Sequence, residues 1–269
     1  MSAQHNISIG KAFGIFILMQ IVFLLSYLLT TIIIPIGSEL IKQTLVELSR
    51  IPITFASLWG LIYLLFRQEL STYFVKRPTL TVISKYFMLG ILLPAVILLI
   101  YLVSGNMSFL FSSFEPTPVY LLYIFSTIAG ALAAGVIEEI MFRGFLLKIF
   151  IDSLGKWKAV VITSLLFGVV HILFYPVKPE SLGGFLLVVS SISLMGGLAA
   201  LLVLKTRNIW SGVMFHIGWN LCFTGKIVKI FNCEENLELG IVNLRVTNKY
   251  LWFIGGPMGF ESSLIVIIV

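Results

Sequence analysis

Eight apolar runs, at about 12–35, 51–66, 86–103, 118–141, 158–175, 182–204, 208–225 and 250–269, are separated by short polar stretches. A membrane span needs roughly 20 mostly apolar residues. Inside lipid the backbone must satisfy its own polar groups, so only helices and closed barrels cross. These runs are too long and too uniformly apolar to alternate as barrel strands do. The expected fold is therefore an all-α polytopic membrane helix bundle of about eight spans. The first seven read as helices. The eighth is interrupted by Gly255, Gly256, Pro257 and Gly259, Glu261 follows, and 262–269 is too short to span alone. Charged residues make up 11% of the chain, against about 25% in soluble domains.

The net charge of +6 does not point to nucleic acid, because the basic residues fall between apolar runs, where they orient helices and meet anionic lipid. Arg67, Lys76, Arg77 and Lys85 follow run two, Lys148, Lys156 and Lys158 follow run four, and Lys205 and Arg207 follow run six. Ser104–Thr117 has none. This pattern predicts a multi-pass protein of the cell membrane, of the bacterial plasma-membrane kind, with a cytoplasmic N-terminus. Run one follows Lys11, exceeds the apolar length of a cleaved signal and precedes no Ala-x-Ala site, so it reads as a retained span. The stretch 226–249 reads as an outward loop and 67–85 as an amphipathic surface segment. Cys222 and Cys233 form no CxxC pair and read as free thiols.

One run carries charge where it is costly. From Pro116 to Ile137 there is no Asp, Glu, Lys or Arg; then come Glu138, Glu139 and, four residues on, Arg143. An ionisable group at membrane depth costs about 3 kcal/mol on insertion scales, so such groups usually serve function. Glu139 and Arg143 have the order and spacing of a helical ion pair. Glu138 projects onto the face of Ala134, Gly135 and Phe142, behind small residues that allow close helix approach. Two further apolar runs carry a polar residue at one-turn spacing from a partner: His171 with Phe167, and His216 with Asn220. Singly, each has an ordinary structural reading as ion pair, packing residue or interhelical glue. Together they supply a base, a second water ligand and oxyanion donors.

Glu138-Glu139-x-x-x-Arg143, Phe167-x-x-x-His171 and His216-x-x-x-Asn220, in that order on separate apolar helices, resemble the motifs of the CPBP family of intramembrane endopeptidases. That family includes CAAX proteases, bacteriocin-processing proteins and lysostaphin-resistance-like proteins. The resemblance covers about 118–225, with a looser likeness over Gly255–Glu261. It implies N-terminal helices over 1–115 and a protease core over 116–269, whose four helices enclose a conical intramembrane cavity. It implies catalytic Glu138, His171, His216 and Asn220. Glu138 would be the general base, His171 would hold the same water, and His216 with Asn220 would stabilise the oxyanion. Glu139, Arg143 and Phe167 would support them.

The implied partners are the bilayer and a membrane-associated peptide or protein, whether prenylated, bacteriocin-like or signal-like. Oligomeric state stays open. No cofactor is expected; the rival is a zinc metallopeptidase, since Glu and His also bind zinc. Two non-proteolytic readings compete with hydrolysis: an immunity or scaffold protein of the same fold, and a transporter or ion channel using the carboxylates as a proton or cation site. The span ends carry one conflict. They set Glu138 near the cytoplasmic side but His171 roughly 20 Å along its helix. Sharing one water requires run four to end deeper or run five to begin outside the bilayer.

Overall fold

The computed structural model describes residues 7–34, 38–110, 117–174, 182–223, 227–231, 240–247, 250, 263 and 266. Apart from Tyr250, Ser263 and Val266, the eighth apolar run therefore lies outside the described residues, as do the Gly255–Glu261 tail and Cys233. The helices are α1 (Ile9–Ile33), α2 (Glu39–Phe66), α3 (Leu80–Val103), α4 (Pro118–Glu139), α5 (Leu147–Leu154), α6 (Lys156–Phe174), α7 (Leu182–Thr206) and α8 (Trp210–Phe223). Among the described residues, six stretches are long and apolar enough to cross a membrane, with α4 through α5 counted as one. The chain is a multi-pass helical membrane protein. The seventh expected span, α8, has 14 helical residues, and nine of them are buried among the other helices.

Side-chain caps start the first four helices: Ser8, Ser38, Thr79 and Thr117 each accept a backbone N–H from the first turn. In α4, Pro118 occupies the first turn, where its missing N–H costs nothing. Gly155, at φ +81°, makes the reversal from α5 to α6, a conformation that disfavours a Cβ.

Two span boundaries need correction. Run four does not stop at 141. A π-helical turn, Ile140–Leu146, joins α4 to α5, giving a continuous 37-residue stretch from Pro118 to Leu154. Glu138 lies sixteen residues before Leu154, roughly 24 Å at 1.5 Å per residue, and His171 lies fifteen residues after Lys156, roughly 22 Å along α6. The two are level, and the depth conflict disappears because the helix continues past its charges. Run two likewise begins earlier than 51. The α2 helix starts at Glu39, and Glu47 and Arg50 lie within it as an ion pair of 2.7 Å. Neutralising each other lets both charges sit in a helix that hydropathy alone cuts short.

The basic connections gather at one end of the bundle. Ile209 N donates to Phe74 O, Asn208 Nδ2 to Arg77 O and Trp210 Nε1 to Lys76 O. Residues 67–79 lie at the surface as expected, with Tyr73 as their buried member. They contain a 3₁₀ turn at Leu70–Tyr73 that anchors the segment to the bundle through Tyr73. Tyr73 is buried against Phe145, ring centroids 5.3 Å apart. Burial pushes its phenol well above the ordinary tyrosine value, and the negative charge of Asp152 adds to this.

At the other end stands a small sheet where the sequence pattern predicts loop. Its strands are β1 (Met107–Phe109), β2 (Val228–Phe231) and β3 (Val242–Val246). The central strand, β3, is antiparallel to β1, with Met107 opposite Val246, and parallel to β2, with Val228 opposite Val242. Leu244 and Val246 bury into a cluster with Tyr101, Phe215 and Trp219, so the sheet closes the ends of α3 and α8.

Candidate active site

Burial forces the polar groups of α4, the π-turn, α6 and α8 onto one another. Every residue of Ile140–Leu146 is buried. A π-turn alters the phase of the helix and often marks a functional site. Here it begins directly after Glu139 and contains Arg143.

Glu139 and Arg143 are 0% and 1% exposed. Arg143 Nη1 donates to Glu139 Oε1 at 2.7 Å. The same oxygen accepts from His216 Nδ1 at 3.0 Å. Arg143 also donates from Nε to the Gly196 carbonyl of α7 at 3.3 Å. Its guanidinium lies 4.0 Å from the centre of the Phe167 ring, a cation–π contact worth about 2 kcal/mol when desolvated. Phe167 is fully buried. It holds three polar groups apart yet adjacent: its ring centroid is 4.4 Å from that of His171 and 6.1 Å from that of His216.

Glu138 takes a different environment. Its Oε2 lies 3.6 Å from His171 Nε2 and has no hydrogen-bond partner among the described residues. That separation is too long for a direct hydrogen bond. His171 Nδ1 is 2.8 Å from the Phe167 carbonyl, which can only accept, so Nδ1 carries the proton. A neutral ring then presents the Nε2 lone pair. Glu138 and His171 thus aim two acceptors at one point, and their side chains remain 21% and 24% exposed. Asn220 is buried one turn beyond His216 on α8. The expected ion pair and the expected Glu138–His171 meeting are both present, and the Phe167 ring links them.

Metal ligation fits this donor set poorly. Glu139 Oε1 is already taken by Arg143 and His216. Glu138 and His171 alone face each other, whereas catalytic zinc takes three protein ligands. Among the described residues, no group of three or more His, Cys, Asp or Glu could hold a metal ion.

Two glycines essential to this packing carry no signal in the sequence, because both lie in apolar helices far along the chain from the residues they accommodate. A Cβ at Gly196 would lie 2.5 Å from Arg143 Nη2, and one at Gly212 would lie 2.6 Å from Glu139 Oε2. Gly196→Ala and Gly212→Ala should each lower stability by roughly 1–3 kcal/mol, the usual penalty of overpacking. Thermal unfolding of detergent-purified protein checks this. Gly130→Ala, where no atom lies within 4 Å of the added Cβ, should cost nothing.

No curated protein and no solved structure matches the chain. Residues 120–222 match the family described as Type II CAAX prenyl endopeptidase Rce1-like, a family of membrane proteases. That stretch contains all three motifs and every group just described. The chain is therefore a polytopic membrane protein in which residues 120–222 are similar to the Rce1-like family, in agreement with the CPBP resemblance of its motifs.

Proposed function

We propose that the protein hydrolyses peptide bonds of membrane-associated peptides within or beside the bilayer, without a metal. The observation that carries this reading is the Glu138–His171 pair: two level acceptors, 3.6 Å apart, facing each other beside a buried ion pair. A water donating to both would have its oxygen lone pair turned toward a peptide carbonyl. As that oxygen bonds to the carbonyl carbon, Glu138 takes one proton. The tetrahedral oxyanion receives hydrogen bonds from Asn220 and His216, an interaction worth about 3 kcal/mol per donor. His216 gives Nδ1–H to Glu139, so its Nε2 donates to the oxyanion only from the doubly protonated ring. The C–N bond then breaks, and Glu138 returns its proton to the leaving amine. Glu139 and Arg143 position His216 and keep the site rigid.

The substrate is a peptide reaching the level of Glu138, about 24 Å from the end of α5. The positive charge of the connecting loops supports a cytoplasmic position for the end with Lys76, Arg77 and Arg207.

The test uses purified protein in phosphatidylcholine vesicles with a synthetic peptide library, products being read by mass spectrometry. Cleavage that survives exhaustive chelation is expected. Cleavage lost on chelation and restored by zinc would contradict the metal-free mechanism. In cells, membrane peptides should accumulate when native protein is replaced by Glu138→Ala. An unchanged peptide profile together with an intact biological effect would favour the non-proteolytic reading.

A further inference from the structure

Outside the residues above, an ionisable pair lies midway along the membrane-spanning helix α2. Arg50 and Glu47 of α2 are 12% and 16% exposed, with Arg50 Nη2 2.7 Å from Glu47 Oε2. Arg50 lies sixteen residues before the end of α2, roughly 24 Å at 1.5 Å per residue, which matches the depth of Glu138 from the end of α5. The α2 helix packs along α4, the helix that carries Glu138. The pair therefore stands at the level of the hydrolytic site and beside it.

Its geometry is that of a held cation with donors to spare. Phe23 and Tyr27, one turn apart on α1, place their ring centroids 5.7 Å and 5.4 Å from the Arg50 guanidinium carbon. Aromatic rings thus flank the guanidinium from one helix while Glu47 pairs with it on its own. Arg50 Nε is buried and has no hydrogen-bond partner among the described residues. A guanidinium offers five N–H donors in a fork that matches a carboxylate, and its orientation here is set in advance. A pair needed only to neutralise itself would not require two aromatic rings beside its arginine.

We propose that Arg50 anchors a carboxylate of the peptide substrate, with Glu47 as the intramolecular partner it exchanges for that group. This rests on the proteolytic reading above. The carboxylate has two sources, the peptide's C-terminus or an acidic side chain near the scissile bond.

The experiment measures both binding and hydrolysis by the full-length protein in phosphatidylcholine vesicles. Each probe peptide is made with a free or an amidated C-terminus, and with Asp or Asn inside it. The native protein should favour one anionic form about tenfold or more in kcat/KM, chiefly through KM, and should bind that form more tightly. The form favoured identifies the source. Arg50→Gln should erase the preference, and Arg50→Lys should restore part of it. Since Arg50→Gln leaves Glu47 unpaired, the neutral double variant Glu47→Gln/Arg50→Gln provides the same test in a chain without the stranded charge. A preference kept in both variants, or no preference in the native protein, overturns the anchoring. Anion-selective binding without cleavage of any peptide would instead keep the anchor and overturn the proteolytic reading.

Discussion

Glu138→Gln should cut peptide hydrolysis by at least about a hundredfold, the lower range for loss of a general base, while leaving the unfolding temperature close to native. The change removes one negative charge and keeps the shape. Glu138 Oε2 gives up no hydrogen bond from the protein, because none reaches it among the described residues. It faces His171 Nε2 at 3.6 Å, so the amide has space to sit without clash. His171→Gln should give a similar loss, and the two together should lose little more than either. Groups that act on one water are not additive. Hydrolysis rates on the purified variants, with unfolding measured on the same preparations, check both statements.

Arg143→Ala has the opposite signature, a collapse of stability first. Arg143 is 1% exposed and donates to Glu139 and to the Gly196 carbonyl. Its loss leaves a buried carboxylate with only His216 for company and opens a hole over the Phe167 ring. Breaking one side of a buried ion pair costs about 3–5 kcal/mol. Arg143→Lys should recover little, because an ammonium cannot donate both to Glu139 and to Gly196 while lying flat on an aromatic face. Removing both charges, as Glu139→Gln/Arg143→Met, should destabilise less than Arg143→Ala alone. Denaturation of the three variants in one detergent decides this. If Arg143→Ala unfolds like native protein, the pair does not hold the site together.

The candidate site is legible in the sequence because its members are expensive. Glu138, Glu139, Arg143, His171, His216 and Asn220 are polar residues in apolar runs, and one-turn spacing tells which of them share a helix face. The carboxylates' separate environments are also foreseeable, since adjacent residues on a helix diverge by about 100°. What the sequence hides depends on partners remote along the chain. Gly196 and Gly212 look like any glycine in an apolar helix until Arg143 and Glu139 are packed against them. Glu47 and Arg50 end a hydropathy window and so fall outside the expected span, although the rings of Phe23 and Tyr27 hold the arginine within its helix. The π-turn after Glu139 has no composition of its own. The strands β2 and β3 are short and set in a polar stretch, and their apolar alternation becomes visible only against the cluster of Tyr101 and Trp219 that they cover.

The central claim is a division of labour between neighbours: Glu138 for chemistry, Glu139 for structure and the placement of His216. Its most direct test is a paired measurement of peptide hydrolysis and thermal unfolding on Glu138→Gln and Glu139→Gln, purified alike. The account predicts that Glu138→Gln is inactive with a native unfolding temperature, and that Glu139→Gln unfolds at a clearly lower temperature. Native-rate hydrolysis by Glu138→Gln would contradict it.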